Sequence, residues 1–72
     1  MTKEEFLAEM QEVLQTEDTL SPDTELADLA EWDSLSMMAT MAFFDKKFDI
    51  KVGIRDLKSM NTMADLMVRV GV

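Results

Sequence analysis

Asp33-Ser34-Leu35-Ser36-Met37-Met38-Ala39-Thr40-Met41-Ala42-Phe43-Phe44 is the stretch on which the fold turns. Asp33 is a good N-cap, because its short carboxylate can accept from the unpaired amides of a first helical turn, and Ser34 then becomes the first helical residue. Beyond it Met37, Met41, Phe44 and Phe48 recur at i, i+4, i+7 and i+11, an apolar stripe that Met38 and Ala42 widen. The same spacing puts Ser36, Thr40, Phe43 and Lys47 on the opposite stripe and predicts a helix end near Asp49.

Upstream, Thr2 and Glu5 stand at capping-box spacing. Phe6, Leu7, Met10, Val13 and Leu14 share one face, with Glu4, Glu5, Glu9 and Glu12 on the other, which predicts an amphipathic helix over 3–15. The connection from Thr16 to Asp33 is polar at first and carries a turn signal at Ser21-Pro22-Asp23. Leu26, Leu29 and Trp32 follow at spacings of three, either as a short helical turn or as anchors that pin a long loop to the core. Loops of such length in small domains tend to be functional, and this one delivers Glu31-Trp32-Asp33-Ser34-Leu35. Downstream, Ile50 and Val52 read as an apolar tether ending at Gly53, and Ile54 to Ser59 as a turn or two of helix with Ile54 and Leu57 inward. Thr62 and Asp65 mark one more helix start, followed by Met63, Leu66, Met67 and Val70 before Gly71 closes it. No strand pattern or repeat is present. The expectation is one all-α domain over residues 1–72, a small four-helix bundle of three main helices and one short one, with a long loop between helices one and two.

Composition narrows the function. The chain has 72 residues, 47% of them hydrophobic, and contains no His, Cys or Tyr. That removes imidazole acid–base catalysis, thiolate nucleophiles, disulfides and His/Cys zinc sites, so no catalytic set is expected. A net charge of −8 speaks against nucleic acid and against an anionic membrane surface as partners. Residues 1–33 hold eleven Asp/Glu against Lys3 alone, while residues 34–72 hold four acids and six bases. The acidic half is either a solvated face that keeps a small protein soluble or a surface that draws basic partners. Asp18, Asp23, Glu25 and Asp28 lack the alternating spacing and central Gly of a calcium loop, so no metal is expected. Ser34 and Ser36 lie three turns from Lys46 and Lys47 and make no Ser/Lys pair. With neither a signal segment nor a long apolar run, a cytoplasmic monomer is expected.

Ser34 is the candidate site. A hydroxyl at the first position of a helix, after a long loop, faces solvent, and the amides of Leu35 and Ser36 with the positive end of the helix dipole favour a phosphate there. On the residues alone, Ser34 equally reads as a second capping residue beside Asp33. Phe43 reads as an aromatic anchor for partners if exposed, and as core if the helix is slightly rotated. The eight Met residues read mainly as core filling, in a bundle soft enough to admit a lipid-like chain between helices two and three.

Trp32-Asp33-Ser34-Leu35, at the mouth of the second helix of an acidic bundle of this length, resembles the acyl carrier protein family. The resemblance extends to Ser21-Pro22-Asp23-Thr24-Glu25-Leu26 ahead of the motif, and to Phe48-Asp49-Ile50-Lys51-Val52 and Thr62-Met63-Ala64-Asp65-Leu66 after it. It implies a covalent 4′-phosphopantetheine arm, taken from coenzyme A, on Ser34, with Asp33 and Leu35 flanking it. The arm would supply the thiol that this chain lacks and hold acyl groups as thioesters. Implied partners are the phosphopantetheinyl transferase and acyl-loading and acyl-processing enzymes, reading a face built from Ser36, Ala39, Ala42, Phe43 and Lys46. The family's fatty-acid carriers have an acidic second helix, whereas here only Asp33 and Asp45 keep that character, a departure that favours a dedicated pathway such as polyketide synthesis over bulk fatty-acid synthesis. An aminoacyl carrier of a nonribosomal type is one alternative. An acidic helical binding or inhibitor module with no cofactor is another.

Overall fold

In the computed structural model, which describes residues 1–72, local capping sets where each helix begins. The Thr2 hydroxyl accepts from the Glu5 amide at 3.1 Å and the Glu5 carboxylate accepts from the Thr2 amide at 2.8 Å, starting α1 (Lys3–Leu14). Asp33 and Ser36 do the same for α2 (Ser34–Phe48). The Asp56 carboxylate accepts from the Gly53 amide ahead of the short α3 (Ile54–Lys58). Asp65 accepts from the Asn61 and Thr62 amides, at 2.8 and 3.1 Å, ahead of α4 (Met63–Val70). Left-handed residues stop three of the helices: Gln15 after α1, Asp49 after α2 and Gly71 after α4. The structure is therefore all-helical, with one 3₁₀ turn, Leu26–Asp28, inside the α1–α2 connection and no strand beyond a single bridge.

The core joins all four helices. Phe6 of α1 lies against Phe43, Phe44 and Phe48 of α2, with ring centroids 6.1, 6.3 and 6.2 Å apart, in the tilted geometry that suits aromatic quadrupoles. Met10, Leu57, Met63 and Leu66 complete the fully buried centre. No helix is long and apolar enough to cross a membrane.

The phase of α2 differs from the one the sequence suggests. Its buried residues are Ser36, Met37, Thr40, Phe43 and Phe44, the i, i+1, i+4, i+7, i+8 series of a second, overlapping stripe. Met38 and Ala42 face solvent, and Met41 is only half-buried. Adjacent phenylalanines decide it, because rotating both inward removes more apolar area from water than Met41 and Ala42 can offer. Thr40 follows at little cost, since its buried hydroxyl donates to the Ser36 carbonyl at 2.9 Å.

The long connection is pinned at both levels the sequence left open. Leu26 and Leu29 are buried and Trp32 is half-buried against the core, and a 3₁₀ turn forms as well. The loop is also hydrogen-bonded to the beginning of α4. The Leu26 amide donates to the Asn61 carbonyl, the Met63 amide to Thr24 and the Ala64 amide to Pro22, each at 2.9 Å.

Candidate functional site

Ser34 occupies the first position of α2 and is exposed. Its neighbours carry the capping. Asp33 Oδ1 accepts from the Ser36 amide at 2.9 Å, and Ser36 Oγ accepts from the Asp33 amide at 2.9 Å and donates to the Asp33 carbonyl at 3.0 Å. Ser34 takes no part in that exchange, so the capping alternative for this residue falls to Ser36 and the Ser34 hydroxyl stays uncommitted. Asp33 is itself exposed, and Leu35, at 75%, is among the most exposed large apolar residues of the chain.

The amides at this helix start are not the pair expected. The Ser36 amide is taken by Asp33, and the Met37 amide by the Asp33 carbonyl at 2.9 Å. The amides of Ser34 and Leu35 precede the first intrahelical bond and are the donors that remain, at the positive end of a helix of 15 residues. A phosphate ester on Ser34 fits this setting: two open donors, a favourable dipole and a hydroxyl with no competing partner. An arm such as 4′-phosphopantetheine, held there through its phosphate, would supply the thiol that this chain lacks, and Ser34 with the Ser34 and Leu35 amides would hold it.

Two of the expected partner-face residues are withdrawn from the surface. Phe43 is buried among Phe6, Phe44 and Phe48, and Ser36 is buried with its hydroxyl spent on the cap. Ala39, Ala42 and Lys46 remain exposed, joined by Met38. The Asp33-x-x-Ser36 spacing carried the signal for the cap, in the same form as Thr2-x-x-Glu5. Nothing local marked Met38 as exposed, because that follows from the phase of the whole helix.

Comparison with known proteins agrees with this geometry. A solved structure described as a candidate acyl carrier protein from Mycobacterium tuberculosis superposes with a TM-score of 0.76 at 26% identity, over 94% of this chain and 92% of that one. Among curated proteins none matches. Fold and site together define a carrier, a small domain that receives a group and is not an enzyme. A family model described as phosphopantetheine attachment site matches residues 4–68, and the chain belongs to that family. Its domain is the place of covalent 4′-phosphopantetheine attachment.

Proposed function

We propose that Ser34 is the residue that receives the arm, and that the loaded chain carries acyl intermediates as thioesters between cytoplasmic enzymes of a dedicated pathway, polyketide or specialised fatty-acid synthesis. The observation that supports Ser34 is its uncommitted, exposed hydroxyl beside two free amides, between an Asp33 and a Ser36 already used up by the cap. In the transfer a Ser34 Oγ–phosphorus bond forms as a phosphorus–oxygen bond of the coenzyme A pyrophosphate breaks, its electron pair leaving with 3′,5′-adenosine bisphosphate, and the hydroxyl proton passes to a base of the transferase. No such base adjoins Ser34, which suits a residue activated by another protein.

The surface of α2 supports a pathway distinct from bulk fatty-acid synthesis. Beyond Asp33 its exposed residues run Ser34, Leu35, Met38, Ala39, Ala42, Asp45, Lys46 and Lys47, apolar along most of its length with a single acid and two lysines at the far end. Partners matched to it present an apolar surface, with a carboxylate near Lys46, in place of a wholly basic one.

Intact mass before and after incubation with coenzyme A and a broad-specificity phosphopantetheinyl transferase tests the attachment. The expected result is the gain of one phosphopantetheine, lost in Ser34→Ala and kept in Ser36→Ala. No gain by folded, unmodified protein refutes it and favours a cofactor-free acidic binding module.

A further inference from the structure

Leu35 and Met38, exposed to 75% and 53%, both line one groove between the end of α1 and the start of α2. Val13, Leu14 and Ala39 supply the rest of its apolar wall, and it offers about 510 Å³ beside Asp33, the residue before Ser34. Gln15, Glu31, Asp33 and Ser36 form a polar rim. Met38 stands four residues after Ser34, and helical side chains lean toward the N-terminus, so its thioether lies over the turn that bears the serine.

We propose that an aliphatic group carried on the Ser34 arm packs into this groove, against Val13, Leu35, Met38 and Ala39, and does not enter the helical core. The inference rests on the attachment proposed above. The tether identifies the occupant. A group held by a short flexible arm is present at a roughly millimolar effective concentration, so a groove of even ~1 mM affinity is about half filled, an advantage no untethered partner shares.

The core offers less. Between the loop, α2 and the residues that lead into α4 a crevice that includes Trp32, Met37 and Met60 offers about 350 Å³, and farther along α2 one lined by Met41, Ala42, Asp45, Lys51 and Val52 offers about 210 Å³, with the Lys51–Asp45 ion pair, 2.8 Å long, in its wall. Met63 and Leu66 are fully buried, and the Phe43 and Phe48 rings meet edge-on with centroids 5.7 Å apart. Entry there means parting close-packed side chains, whereas the groove is already open. The unbranched Met38 thioether adapts its wall to chains of different length. Cargo so placed is displaced by a partner that covers Leu35 and Met38, with no parting of core side chains.

The eight methionines provide the test. Protein labelled at the methionine methyls and backbone amides is loaded by the transferase from coenzyme A or from octanoyl-coenzyme A, with intact mass certifying each form. Between the two forms the Met38 methyl and the Val13, Leu35 and Ala39 amides are expected to shift, with Overhauser contacts from the acyl chain to the Met38 methyl. The Met63 and Met67 methyls are expected to stay in place. In Met38→Gln, compared in its own two loaded forms, the Val13 shift is expected to be lost. Cargo-dependent shifts centred on Met41, Met63 and Met67, or identical spectra from two forms of the correct masses, overturn the groove and leave the attachment standing. Protein that gains no mass overturns both.

Discussion

Three hydroxyls near the start of α2 meet different fates: that of Ser34 faces solvent, that of Ser36 closes the cap, and that of Thr40 is buried on the Ser36 carbonyl. Their substitutions separate accordingly. Ser36→Ala is expected to cost about 1 kcal/mol, the usual loss for a broken cap, read from the urea midpoint at unchanged slope. Ser34→Ala is expected to stay within ~0.5 kcal/mol of the parent while abolishing loading. Phe43→Ala is expected to cost about 3–5 kcal/mol, the penalty of an emptied aromatic site. A surface anchor would show no such loss, so denaturation distinguishes the two readings of Phe43. Against a total stability of about 5–15 kcal/mol, that variant stands near the edge of folding.

At the scale of elements, what was legible in the sequence was what local chemistry decides. Thr2/Glu5, Asp33 and Thr62/Asp65 announce the helix starts, because a cap needs only residues three apart. The ends near Gln15, Asp49 and Gly71 were close to legible for the same reason. The phase of α2 was not, because two stripes, one through Met41 and one through Thr40, satisfy the helical period equally, and only packing against Phe6 selects between them. The place of Ser34, exposed at the first position of α2, was legible, while the open amides beside it were misassigned because the Ser36 amide was read as free. The caps also make a prediction about acid. The Asn61 and Thr62 amides hold the Asp65 carboxyl below its ordinary range, and the Thr2 amide does the same to Glu5. A carboxyl depressed in the folded state contributes stability above its unfolded pKa and loses it as the pH falls through the folded value, so this support fades below about pH 4. Asp65→Asn is therefore expected to be less stable than the parent at pH 7, and the gap to narrow as the pH falls below the ordinary carboxylate range, as followed by circular dichroism.

For the molecule as a whole, charge and topology matter most. Eleven acids against one lysine in residues 1–33 repel one another, and ions screen that repulsion over about 10 Å at 0.1 M. Raising sodium chloride from about 0.01 M to about 0.15 M is expected to raise Tm by a few degrees, the equivalent of ~1 kcal/mol in a domain of this size. A falling or constant Tm would mean that the acidic half is already neutralised within the fold. The clasp between the α1–α2 connection and the start of α4 reaches further. Pro22, Thr24 and Leu26 pair with Ala64, Met63 and Asn61, so the segment that sets the entry to Ser34 finds its backbone partners far along the chain. During synthesis the serine emerges from the ribosome well before residue 64, and until then its loop has nothing to clasp. A nascent or truncated chain that stops short of Ala64 therefore leaves the loop ahead of α2 without those backbone partners.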